Sequence, residues 1–153
     1  MDKAEIQNLI KELIEKTTVS VREISITEDG PKNTWFGVEV SEPHLFTLRD
    51  GEGLYALNHL VRRIIEGSAG AGEESFLIDI GGFQKKRVEN IRAVAHMMSE
   101  RARYFKSNIE VDPMSAFERR IVHEFLSDAT DLKTESVGSG PSRRVVIKYI
   151  GNI

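Results

Sequence analysis

Asp112-Pro113-Met114-Ser115-Ala116-Phe117-Glu118-Arg119-Arg120-Ile121-Val122-His123 is the stretch on which the reading of this 153-residue chain turns. A serine followed three residues later by glutamate is the signature of a capping box. It predicts a helix that opens at Ser115 and runs to about Ser127. Arg119 and His123 stand four residues apart on that helix, so both side chains leave one face, with Arg120 beside them.

Outward from the helix, Leu132 to Val137 and Arg143 to Ile150 read as a hairpin around Gly138-Ser139-Gly140-Pro141. The hairpin carries the hydroxyls of Thr134 and Ser136 on one strand and Arg143 and Arg144 on the other. Arginine offers planar, multi-donor contacts to phosphate, and a histidine adds a further donor or a stacking surface. The two hydroxyls would complete a phosphate cradle. A bare Arg-x-x-x-His is common by chance and reads more simply as a basic helix face with a packed histidine. The ordered set of helix, hydroxyl-bearing strand and double-arginine strand is more specific.

Upstream, Phe83 to about Lys106 is a long helix whose apolar seam comprises Val88, Ile91, Ala95, Met98, Ala102 and Phe105. Ile109 to Val111 is a short strand. Before these, a helix from Lys3 to Lys16 with Asp2 as N-cap leads to a strand over Val19 to Ile26. The run Asp29 to Asn33 is a turn, and Phe36, Val38 and Val40 alternate as a second strand. A short helical stretch, Leu45 to Leu48, a polar turn, Arg49 to Gly53, and an amphipathic helix with Leu54, Leu57, Val61, Ile64 and Ile65 follow. Gly67 to Gly72 reads as a mobile linker, and Phe76 to Ile80 as a strand. The expected fold class is therefore α+β, in two small α/β-layer domains at 1–82 and 83–153.

Composition is that of an ordinary globular chain, 40% apolar and 29% charged, with no cysteine. Disulfides, thiolate zinc sites and cysteine nucleophiles are excluded together. No run approaches the ~18 apolar residues of a membrane span, and the N-terminus lacks a signal-peptide core, so a cytoplasmic protein that is not membrane-embedded is expected. Residues 1–82 hold 8 Lys/Arg against 15 Asp/Glu (8 − 15 = −7); residues 83–153 hold 13 against 9 (13 − 9 = +4). The basic half is a permissible footprint for a polyanion. His44, His59, His96 and His123 lie on separate elements without clustered carboxylates, and the glycines of 67–72 lack the ending of a phosphate-binding loop, so no metal and no cofactor is expected. His123 with Ser136 lacks an orienting acid or oxyanion motif, so no enzymatic activity is expected. Trp35, Phe36 and Tyr55 read as core aromatics before base-stacking ones, and Lys85, Lys86, Arg87 and Arg92 as a solvated basic face.

The string 112–123, continued by Thr134-x-Ser136-x-Gly138 and Pro141 to Ile147, resembles the R-3-H domain, named for its Arg and His separated by three residues. Gly51-Glu52-Gly53-Leu54-Tyr55-Ala56-Leu57-Asn58-His59-Leu60 looks like the segment after the nucleic-acid loop of a type II KH domain. Ile78 to Arg87 looks like the junction of the two domains in the bacterial Jag family, also called KhpB or SpoIIIJ-associated proteins. The resemblance spans Ile6 to Tyr149. It implies a type II KH-like domain, then an R-3-H domain with a small sheet packed by two helices. It further implies binding of single-stranded RNA, with DNA as the alternative, in post-transcriptional regulation, and a second KH protein and the membrane insertase as partners. The nucleic-acid-binding residues it implies are Arg119, Arg120, His123, Thr134, Ser136, Arg143 and Arg144, with Arg49 and Gly51 in the KH loop. That loop departs from Gly-x-x-Gly, reading Leu48-Arg49-Asp50-Gly51. A branched first residue hinders close approach of backbone to phosphate, and Asp50 repels it. The departure, with the acidic first half, favours a second reading: an adaptor whose KH-like half docks a protein.

Overall fold

The computed structural model describes residues 1–29, 33–69 and 75–151. They form two compact units, Met1–Lys85 and Lys86–Ile153, both α+β as expected.

In the first unit, α1 (Lys3–Glu15) begins at a capping box: the Glu5 N–H donates to Asp2 Oδ1 at 2.8 Å, and the Asp2 N–H to Glu5 Oε2 at 2.7 Å. Ile6, Ile10 and Ile14, four apart, are its buried face. β1 (Val21–Glu28) pairs antiparallel with β2 (Asn33–Val40), and β3 (Ser75–Ile80) pairs parallel with β2, giving the order β1-β2-β3. Strand alternation places Phe36, Val38 and Val40 in the core with Ile78, Ile80, Leu54 and Val61. β3 is an edge strand, and Asn58 satisfies its outer side. The Asn58 amide accepts the Ile78 N–H at 2.8 Å and donates to the Ile78 carbonyl at 3.0 Å, so no buried ladder group is left unpaired there.

α2 (His44–Ala69) is broken at Leu48–Gly51, as the polar turn in the sequence predicts. Arg49, Asp50 and Gly51 all have positive φ, 53°, 57° and 83°. The segment Gly67–Ser68, expected as linker, is instead the last turn of α2, with the Ser68 hydroxyl donating to the Ile64 carbonyl. The rest of the expected linker, 70–72, and the centre of the expected turn, 30–32, lie outside the described residues.

α3 (Phe83–Phe105) starts where the Asp79 carboxylate accepts the N–H groups of Gln84 and Lys85, at 2.8 and 3.1 Å. In the second unit, α3 and α4 (Ala116–Leu126) cover one face of an antiparallel sheet of β4 (Ile109–Glu110), β5 (Leu132–Val137) and β6 (Arg144–Tyr149), ordered β4-β6-β5. Ala95, Ala102, Val122, Leu126, Leu132, Val145 and Ile147 form its core. Phe105, expected in the α3 seam, is 61% exposed. The helix terminates there, and Ala102 is the last residue of the seam with a core beneath it. No helix of the described residues is long and apolar enough to cross a membrane.

Candidate nucleic-acid interface

Two local rules assemble the site. The capping box at Ser115 fixes where α4 starts: Ser115 Oγ accepts the Glu118 N–H, and Glu118 accepts the Ser115 N–H at 2.8 Å. Alternation along β5 sends Leu132, Thr134 and Ser136 to the side that α4 covers, since Leu132 is in the core and Thr134 and Ser136 pair with the core residues Ile147 and Val145. His123, projecting from α4, therefore meets both hydroxyls. Its Nδ1 lies 2.7 Å from Thr134 Oγ1 and its Nε2 2.8 Å from Ser136 Oγ.

The proton inventory of this trio determines what it can offer. Burial, and then the nearby Arg119 guanidinium, hold the imidazole below its ordinary range, so it is neutral at pH 7. A neutral ring donates from one nitrogen and accepts at the other. One hydroxyl therefore spends its hydrogen on the ring, and the other, which accepts from the ring, keeps its hydrogen for a ligand. Both nitrogens are occupied by the protein.

The arginines divide into engaged and available. Arg119 Nη1 donates to the Met114 carbonyl at 2.7 Å, and the Met114 N–H donates to the Arg143 carbonyl at 3.2 Å. Met114 thus ties the α4 arginine to the start of β6. Arg143 is exposed and extended, two residues before Val145 on the helix-covered side, and its side chain has no partner among the described residues. Arg120 points away and pairs with Glu124 at 2.9 Å. Arg144 sits on the opposite sheet face, where Glu110 takes its guanidinium at 3.0 and 3.4 Å. The structure thus brings Arg119, His123, Thr134, Ser136 and Arg143 to one edge, and leaves Arg120 and Arg144 apart from it.

Arg49 and Gly51 belong to the first unit and to a different geometry. The Arg49 side chain is exposed and lies 3.8 Å from Glu52. A Cβ on Gly51 would fall 2.5 Å from the Phe83 ring, so the ring and the positive φ both demand glycine there. Leu48 is extended and 60% exposed.

Sequence reasoning missed two supports. Glu118, nearly buried, receives Arg87 Nε at 2.8 Å as well as closing the cap. Burial raises its pKa, but the Ser115 N–H and the Arg87 guanidinium outweigh this and hold the carboxyl below its ordinary range. The Met114 link is the other, and no sequence signal announces a main-chain carbonyl as a tether.

Residues 89–149 match the R-3-H domain family. Over 146 residues the chain is 25% identical to the RNA-binding protein KhpB of Bacillus subtilis, covering 94% of this chain and 67% of that protein. The KhpB of Lactiplantibacillus plantarum is 21% identical over 146 residues (92% of this chain, 45% of the relative), and that of Clostridium symbiosum 27% identical over 97 residues (63% and 43%). The chain thus spans between less than half and about two thirds of the length of these relatives.

Proposed function

We propose that the protein binds single-stranded RNA, with DNA as the alternative strand, through the α4–β5 edge of its second unit, and that it is a binding protein without catalytic activity. The observation that carries this reading is the His123–Thr134–Ser136 trio with Arg119 and Arg143 on the same edge, inside the segment that matches the R-3-H domain. One oriented hydroxyl hydrogen and two guanidinium groups suit a phosphodiester, which is an acceptor-only anion. On this reading residues 83–153 are the R-3-H domain and 1–82 a KH-like domain, working in the cytoplasm on post-transcriptional regulation. A second KH protein and the membrane insertase as partners rest on the resemblance alone.

Fluorescence anisotropy with a labelled single-stranded RNA tests it. Arg119→Gln with Arg143→Gln should weaken binding roughly tenfold or more, as loss of charge-assisted hydrogen bonds does. Arg144→Gln should cost much less, because Glu110 already holds that guanidinium. No RNA binding by wild-type protein, or equal losses from both variants, would defeat the proposal. The adaptor reading has its own support in the first unit, where Leu45 and Leu48 are 50% and 60% exposed next to Asp50. It gains if RNA binding fails.

A further inference from the structure

Two aromatic rings at the end of α3 lie outside the core of the second unit. Tyr104 and Phe105 close α3, 81% and 61% exposed, with ring centroids 5.0 Å apart and planes at 89°. In an edge-to-face pair one ring turns its edge to the other, so flat ring surface stays open to solvent. Met97, Arg101 and Tyr104 recur at i, i+4 and i+7 and share one side of the helix, all exposed.

The helix end that carries the rings is held in place. The Ser107 N–H donates back to the Ala102 carbonyl at 3.2 Å, with Lys106 at φ 49°, a left-handed helix terminus. Arg103 grips both oxygens of Asp131, at 2.7 and 3.1 Å, and Glu100 at 2.8 Å. The carboxylates at this helix end are therefore already paired. Arg101 and Lys106, flanking the rings, have no ion-pair partner among the described residues. The local field is left positive beside open aromatic surface. That combination fits an unpaired base with its phosphate: the ring stacks and the cations meet the backbone.

We propose that Tyr104 and Phe105, flanked by Arg101 and Lys106, form a stacking site for an unpaired base of a bound single strand. The proposal rests on the single-strand reading above and adds a base contact outside the Arg119–His123 edge. Arg103 ties this helix end to Asp131, immediately before β5. Thr134 and Ser136 follow along that strand, roughly 10 and 17 Å from Asp131 at the usual rise per residue. One strand can reach both places.

The test uses the full chain and two probes, a short oligouridine and an equally long strand with its bases replaced by abasic residues. Wild-type protein should prefer the base-bearing strand. Tyr104→Ala with Phe105→Ala should lose that preference, binding oligouridine roughly 5- to 150-fold more weakly with the abasic strand unaffected. Its salt dependence should be unchanged, and Tyr104→Phe should retain the preference. Circular dichroism melts confirm that the variants fold. Variants that treat both probes as wild type does would overturn the stacking site while leaving the single-strand reading intact. Wild-type protein that binds neither probe would overturn both. Self-association of wild type that the double variant abolishes, at unchanged oligouridine affinity, would assign the rings to a second copy instead.

Discussion

At His123 the question is which atom touches a ligand. Both ring nitrogens already face hydroxyls, at 2.7 and 2.8 Å, so on the proposed reading the neutral imidazole acts on a phosphate through the one hydroxyl hydrogen it leaves turned outward, on Thr134 or Ser136. Protonation changes the count. An imidazolium donates from both nitrogens, both hydroxyls become acceptors from the ring, and both of their hydrogens turn outward. Affinity for RNA should therefore rise as pH falls below the ordinary histidine range of about 6.5. Thr134→Val with Ser136→Ala should remove that rise; anisotropy titrations across the range would show whether the two curves differ. Folding stability runs the other way. The folded-state pKa is depressed by burial and by Arg119, so the contribution of the neutral ring is complete above the unfolded value and is lost as pH falls through the folded one. The Arg-x-x-x-His pair and the two hydroxyls were legible as a group because helix and strand periodicities set which residues share a face. That the ring spends both nitrogens on the hydroxyls was not, since it depends on the distance between α4 and β5.

At the level of elements, α4 is positioned by one residue with two functions. Glu118 closes the capping box with Ser115 and receives Arg87 from α3. Glu118→Gln should destabilise the protein by about 1–2 kcal/mol through the weakened cap, with more if the Arg87 pair also fails. Because its carboxyl is held below the ordinary range, wild-type stability from this residue is full above about 4.5 and declines on acidification; the variant should lack that decline. Urea denaturation at neutral and acid pH measures both. The cap could be read from sequence because its partners lie three residues apart. The Arg87 pair joins residues 31 apart, and only tertiary packing brings them together. The same distinction explains the first unit. The polar turn between the two parts of α2 was visible in its charges and glycines, whereas the Phe83 ring over Gly51 was not. Gly67 and Ser68 read as linker by composition, yet propagation of a formed helix carries it through both.

Over the whole chain the charges are unequally shared, −7 in residues 1–82 and +4 in residues 83–153. Net charge is therefore a poor guide to RNA affinity here, and the salt dependence should report a few placed cations. Arg119→Gln with Arg143→Gln should flatten the plot of log affinity against log salt by 2 × 0.7, or about 1.4 units, for a single strand. Replacing Lys3 and Lys11 of α1 and Lys16 at its C-terminal cap with glutamine removes more charge, yet should leave the slope unchanged. Flattening by the lysine variant as large as that of the arginine variant, or larger, would show a response to total charge alone. Topology has a further consequence, in time. β2 pairs locally with β1, but its other edge waits for β3, and Asn33 finds its partner only at Ser75. On the ribosome the roughly 40 residues between them take about 2 to 8 s to synthesise. Through that interval a strand bearing Phe36, Val38 and Val40 has an open edge, a template on which another chain could pair before β3 arrives.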